Sequence, residues 1–120
     1  MIKSWPEIDR FYDDLCVRLP NGPFRRAVQA INGLSRHIGE GPLASSLFGW
    51  TTMHDLCIQQ TDAEPRSGPF LQLGPQPDGE VEFRFHDTAI AARQWSRRAS
   101  PEGVIERFEA FLIQLRWTAL

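Results

Sequence analysis

Side chains that can bind a metal ion or act as a nucleophile come closest together at His54, Asp55 and Cys57. The residues around them predict a single strand from Trp50 to about Gln60. Successive side chains of a strand point to opposite faces, so Asp55, Cys57 and Gln59 would share the exposed face. His54 would point to the other face, together with Trp50, Leu56 and Ile58. Because zinc sites in proteins use three or four ligands, this segment predicts no metal site.

His86 is a second candidate for acid–base chemistry, since the imidazole group titrates near neutral pH. It belongs to the segment 80–87, in which apolar and polar side chains alternate strictly. The apolar set is Val81, Phe83 and Phe85, and the polar set is Glu82, Arg84 and His86. This period of two predicts a strand with one buried and one exposed face. His86 and Asp55 are therefore weak catalytic candidates, with Arg84 as a charged neighbour.

Other catalytic patterns are missing from the sequence. It contains no G-x-S-x-G turn, which would carry a nucleophilic serine, and no glycine-rich loop of the type that binds phosphate. Glu80 and Glu82 would share a strand face, and exposure to solvent is the usual role of such a pair. These absences favour a non-catalytic protein that uses no cofactor, and the alternative of a small enzyme stays open.

The composition limits the classes of protein and of partner. A chain of 120 residues, 42% of them hydrophobic, is long enough for a single domain with one core, residues 1–120. The net charge of −2 gives no general attraction to nucleic acids or anionic membranes, so neither is expected as a partner. The apolar runs are far shorter than the ~20 residues that span a bilayer.

Localisation is inferred from the first residues and from the cysteines. The N-terminus lacks the apolar run of a secretory signal, which predicts a cytoplasmic protein. In that reducing compartment Cys16 and Cys57 are expected to be buried free thiols. Lys3 is the single lysine among 13 cationic residues, a bias that indicates a GC-rich, bacterial gene.

Helices are predicted at both ends of the chain. Ser4-Trp5-Pro6-Glu7 is a capping box, and the apolar period behind it predicts a helix that ends near Arg18. A second helix is expected from about Phe24 to His37. Ser100-Pro101-Glu102 has the residue types that begin a helix, and the broad apolar face that follows includes Phe108.

Strands are predicted in the middle of the chain. A short strand from Phe70 to Leu73 would join segment 80–87 as a hairpin through the turn Pro77-Asp78-Gly79. Residues 93–98 fit a further strand, while the run 89–92 would equally begin a helix. The predicted fold class is α+β, in the order α-α-β-β-β-(β)-α. An antiparallel sheet of three to four strands would carry the helices on one face, with the last helix over Phe83 and Phe85.

The uncovered face of that sheet would combine aromatic, arginine and other polar side chains, a composition typical of protein interfaces. Antiparallel sheets also commonly expose one face to solvent alone, so simple exposure to water is the other interpretation of this face. The expected binding residues are Phe70, Gln72, Glu82, Arg84, His86 and Arg98. The leading hypothesis is a non-catalytic protein-binding module of the immunity, chaperone or regulatory type. The alternative is a small enzyme or ligand-binding domain with a site around His86, Asp55 and Arg84. A homodimer formed through an edge strand or through the same face is a third hypothesis.

The order of elements resembles that of the SUKH-type bacterial immunity domains. The residues that carry the likeness are Leu19-Pro20, which precede a helix that reaches Asn32-Gly33. The likeness covers part of the chain and implies no site residue, so the chain is not assigned to that family on this basis.

Overall fold

The structure is a computed structural model that describes residues 1–117. Two helices come first and one comes last: α1 (Trp5–Arg18), α2 (Pro23–Gly39) and α3 (Val104–Leu115). Between them lie β1 (Phe48–Thr52), β2 (Asp55–Gln59), β3 (Phe70–Pro75), β4 (Val81–His86) and β5 (Trp95–Ala99). Short 3₁₀ turns occur at Pro42–Ser45, Ala91–Arg93 and Pro101–Gly103.

The strands form one antiparallel sheet in which each strand pairs with the next along the chain, in the order β1-β2-β3-β4-β5. The predicted α+β class and the antiparallel sheet are confirmed. The prediction of three to four strands is too low, because the sheet has five.

The additional strand comes from the segment predicted as one strand, residues 50–60. That segment is a hairpin in which Trp50 pairs with Cys57. Residues that pair directly across a hairpin share a face of the sheet, so Trp50 lies on the same face as Cys57. The prediction that Trp50 shares a face with Leu56 and Ile58 is therefore wrong.

The turn of this hairpin lacks the usual turn residues. Met53 adopts φ of 54°, a left-handed conformation that is uncommon for residues other than glycine, asparagine and aspartate. The hydroxyl of Tyr12, a buried residue of α1, donates a 3.0 Å hydrogen bond to the backbone oxygen of His54. A buried hydroxyl needs such a partner, so this contact ties the turn to the helix layer.

The helices pack on one face of the sheet and enclose the main core. Phe83 meets Phe111 of α3 edge to face, with ring centroids 5.1 Å apart. Phe85 meets Trp117 in the same way at 6.2 Å. Phe108 is fully buried. The prediction that the last helix covers Phe83 is confirmed, whereas the ring that meets Phe85 belongs to Trp117, beyond the end of α3.

The predicted starts of the helices agree with the structure to within a few residues. The Ser4–Glu7 capping box is present at the start of α1. α3 begins at Val104, because Pro101–Gly103 forms a 3₁₀ turn in front of it. Both expectations for residues 89–98 are met in part, since a short helical turn precedes the strand β5.

Cys16 and Cys57 are free and buried, as predicted. Burial raises the pKa of both thiols, to about 12 for Cys57. Both therefore stay protonated at neutral pH, which makes them poor nucleophiles. Within residues 1–117, no helix has the length and apolar character needed to cross a membrane.

Candidate functional site

The predicted binding residues lie on the sheet face opposite the helices, called here the outer face. Gln72 pairs with Arg84, Arg84 pairs with Ser96, and Glu82 pairs with Arg98. Directly paired residues of antiparallel strands share a face. The structure therefore brings these side chains together with His86 on β3, β4 and β5. We call this set the outer patch: Gln72, Glu82, Arg84, His86, Ser96 and Arg98.

The centre of the outer patch is a hydrogen-bonded row of three side chains. Gln72 Nε2 donates to Asp55 Oδ2 at 2.7 Å, and His86 Nε2 lies 2.9 Å from Gln72 Oε1. The Asp55 carboxylate packs beside Gly74, where an added Cβ would lie 3.1 Å from its Oδ1. The two catalytic candidates are thus linked through Gln72 and not by direct contact.

The hydrogen bonds fix the tautomer of His86. The Asp55 carboxylate accepts, so Gln72 must turn its amide NH₂ group towards it and its carbonyl towards His86. A carbonyl only accepts, so Nε2 of His86 carries the proton. Burial lowers the pKa of His86, and the nearby positive charges of Arg84 and Arg66 lower it further. His86 is therefore neutral at pH 7, with Nε2 engaged as a donor.

Ion pairs hold the other half of the outer patch in place. Arg84 Nε donates to Glu82 Oε1 at 2.6 Å, and Ser96 Oγ donates to Glu82 Oε2 at 3.3 Å. The hydrogen bond from Arg84 lowers the pKa of Glu82 more than partial burial raises it. Arg98 bridges across the hairpin to Asp78 at 3.0 Å and to Glu80 at 3.3 Å. Most of these charges are matched locally.

Phe70, the remaining predicted binding residue, is on the outer face but is only 4% exposed. Its ring stacks on His86, with centroids 4.5 Å apart, and packs against Trp50 at 5.4 Å. The guanidinium of Arg66 lies 5.8 Å from its centroid. Phe70, Trp50 and Cys57 form a small second core, called here the outer cluster. Phe70 therefore supports His86 from beneath and presents no open ring to a partner.

Gln59 organises the loop beside the outer cluster, although the sequence places it on the exposed face. It is 1% exposed. Its Nε2 donates to the backbone oxygens of Thr61 at 2.9 Å and of Ala63 and Glu64 at 3.2 Å. Its Oε1 accepts from the backbone N–H of Arg66 at 3.1 Å. The only available signal in the sequence was a glutamine that ends a strand directly before a long polar loop.

The geometry offers little for proton transfer. His86 and Asp55 are both bonded to Gln72, and Arg84 is paired with Glu82, so the two catalytic candidates and Arg84 share no direct hydrogen bond. Among residues 1–117, no group of three or more His, Cys, Asp and Glu side chains is placed to hold a metal ion. The arrangement instead resembles a polar surface whose side chains are fixed in advance.

The fold and the site define an α+β domain with an ordered polar patch on one sheet face. Comparison of the chain with protein-family models, with curated protein sequences and with solved structures gives no match. The proposals below rest on the geometry of the chain's own residues.

Proposed function

We propose that the chain is a non-catalytic protein-binding module and that the outer patch is its contact surface. The observation that supports this most is that the patch is fixed before any partner arrives. Gln72 is bonded on both sides, and the Arg84–Glu82 pair is held by Ser96. A surface that loses little side-chain freedom on binding keeps more of its interaction energy as affinity.

The composition of the patch fits a protein partner better than a small molecule. Arginine is enriched in binding hot spots, and Arg84 has about half of its side chain exposed. Histidine and glutamine add donors and acceptors within hydrogen-bonding distance of one another. A partner of matching shape would pair with these groups and exclude water from them.

The test is affinity capture from cells of the source organism, quantified by mass spectrometry. In the double variant Arg84→Glu, Ser96→Glu, the first substitution reverses a positive charge on the outer patch and the second adds a negative charge. Both positions are exposed. Its matched control, Arg26→Glu with Gln29→Glu, makes the same kind of change on exposed positions of α2. We expect a protein whose recovery falls at least about tenfold with the patch variant and is unchanged with the control.

Two results would contradict this proposal. One is a captured protein that both variants retain equally, since its contact would then lie elsewhere. The other is a set of captured proteins that both variants lose equally. Circular dichroism and a thermal melt of each variant would establish that neither effect comes from unfolding.

A further inference from the structure

The two edge strands of the sheet, β1 and β5, differ in how their outer backbone groups are covered. At the β1 edge, the backbone N–H of Lys3 donates to the Gly49 oxygen at 2.8 Å, and Lys3 Nζ donates to Thr51 Oγ1 at 2.9 Å. Gly49 also lies so close to α1 that an added Cβ would be 3.0 Å from Trp5 and from Ile8. The N-terminal segment therefore closes this edge.

The direction of the backbone groups at the other edge follows from the hairpin between β3 and β4. Gln76 N–H donates to the Glu80 oxygen at 2.8 Å, and pairs that exchange hydrogen bonds alternate with pairs that do not. Gly74 and Glu82 therefore form a hydrogen-bonded pair. Pro75, which has no N–H to donate, falls at a position that needs none.

The same alternation continues into β5. Since Glu82 and Arg84 direct their backbone groups towards β3, Phe83 and Phe85 direct theirs towards their partners in β5. The backbone N–H and C=O groups of Ser96 and Arg98 consequently point away from the sheet. In the described part of the chain no further strand follows β5.

Two observations agree with an open β5 edge. The Ser96 backbone oxygen accepts a 2.9 Å hydrogen bond from the side chain of its neighbour Arg97, which an oxygen inside the ladder would not do. The side chains of Ser96, Arg97 and Arg98 are all exposed. An edge of this kind is a template for one more strand.

Positively charged side chains lie beside the open edge. The Arg97 guanidinium lies 5.5 Å from the ring centroid of Trp95, and that of Arg107 lies 6.0 Å from Phe111. The two rings touch, with centroids 4.7 Å apart. Within residues 1–117 neither arginine forms an ion pair, in contrast to Arg98. Stacking on aromatic rings thus holds two unneutralised cations beside the edge.

A depression of about 390 Å³ lies at the start of β5. Phe85, Trp95 and Trp117 give it an aromatic lining, and Arg93 stands at it together with Asp87, whose carboxyl pKa Arg93 helps to lower. A strand laid along β5 would run past this depression, which has the lining to receive an apolar side chain.

We propose that the β5 edge binds an extended acidic peptide as a sixth strand. The outward backbone groups of Ser96 and Arg98 pair with the peptide main chain. Peptide side chains on the helix side place carboxylates near Arg97 and Arg107, and an apolar side chain enters the depression. This is strand addition, in which the main chain gives affinity and alternate side chains give specificity. The proposal uses the outward backbone groups of β5 and the helix-side arginines. The outer patch uses side chains of the opposite face, so the proposal does not depend on it, although Ser96 and Arg98 contribute to both.

A second copy of the chain fits this edge poorly. Two β5 strands paired about a twofold axis would bring the arginines at 97 and 98 of both copies close together. Like charges opposite each other destabilise a strand pair. A partner strand that places carboxylates opposite these arginines would be attracted by them.

The test is a titration of the ¹⁵N-labelled protein with the hexapeptide Glu-Thr-Glu-Thr-Val-Thr, whose glutamates and valine all lie on one face of an extended strand. We expect saturable shifts of the Ser96 and Arg98 amides, and weaker binding as salt is raised. Ser96→Pro removes an outward N–H that the sheet does not use, a substitution that edge strands tolerate, and should weaken binding at least about tenfold. Ser96→Ala is its matched control and should bind as the native chain does.

Charge is tested separately, with variants that leave the backbone intact. Arg97→Glu should weaken binding of the glutamate peptide at least about tenfold. The same peptide with lysine in place of each glutamate should not bind the native chain. The proposal is overturned if the glutamate peptide does not bind or if the shifted amides lie elsewhere. Amide shifts at β5 that depend on protein concentration without peptide would also overturn it, since they would indicate a second copy at the edge.

Discussion

The two faces of the sheet are built on different principles. On the helix side, fully buried side chains of every helix join those of β2 to β4 in one continuous core, which includes Phe83 and Phe108. On the outer face, a buried cluster of Trp50, Cys57 and Phe70 covers the first three strands only. The last two strands carry paired charges. The outer face is thus part core and part polar surface.

This difference indicates what each face contributes. Burial of apolar area against rigid helices dominates the stability of the domain. The outer cluster is covered by Ile2 and, over Phe70, by the side chains of Arg66 and His86. Its task is to support His86 and the row of hydrogen bonds through Gln72. Substitutions on the two faces should therefore differ in size and in what they change.

The largest effect is expected from Phe108→Ala. Phe108 of α3 is fully buried in the main core, so the substitution loses transfer free energy and leaves a cavity. We expect the free energy of unfolding to fall by about 3–5 kcal/mol in urea denaturation. Ile113→Ala is the control on the same helix, because Ile113 is 61% exposed and should change stability little. A loss with Phe108→Ala no greater than with the control would remove α3 from the core.

A smaller loss is expected from Phe70→Ala on the outer face. Phe70 is as buried as many core residues, but its surroundings are loop and side-chain atoms that can collapse into the space. We expect a loss of about 2–3 kcal/mol, at the low end for phenylalanine. The amide and ring signals of His86 should shift as its stacking partner disappears.

Met53→Ala is the comparison variant for Phe70→Ala, since Met53 is 85% exposed in the neighbouring hairpin turn. It should leave stability and the His86 signals unchanged. If Phe70→Ala cost as much as Phe108→Ala, the two faces would be equal contributors to stability and the contrast between them would be lost.

The sequence predicted the helix side of the sheet because its signals there are local. The capping box at Ser4 and Glu7 and the strict alternation at 81–86 each lie within a few residues. Local patterns are sufficient where periodicity and turn chemistry agree. The same alternation predicted which residues of this strand lie on the outer patch. Every second side chain of a strand points to the same face, so Glu82 and His86 share the face of Arg84.

The sequence could not predict the β1–β2 hairpin or the burial of the outer cluster. The turn at Met53 has no glycine or asparagine, and it is held by Tyr12, which lies 42 residues from its acceptor His54. When residues 50–60 are treated as one strand without that turn, Trp50 is assigned to the wrong face of the sheet. The burial of Phe70 likewise depends on tertiary contacts with Trp50 and Arg66, which no local pattern encodes.

The smallest expected effect concerns pH and the outer face. Burial, with Arg84 and Arg66, lowers the pKa of His86 in the folded state below the ordinary value of 6.5. Between the folded and unfolded pKa values the unfolded chain binds more protons, so unfolding becomes easier as pH falls. The contribution of His86 is complete above pH 6.5 and is lost as pH falls through the folded pKa.

His86→Gln isolates this dependence, because glutamine can still donate to Gln72 but does not titrate. The lowered pKa values of Glu82 and Asp87 affect stability only at more acidic pH, and both proteins share them. We therefore expect the stability difference, native minus variant, to decrease between pH 7.5 and 5 in urea denaturation. An NMR titration should give a His86 pKa below 6.5. A difference curve that is flat, or that rises as pH falls, would mean that the stack on Phe70 does not bury the imidazole, and the outer cluster would lose its supporting role.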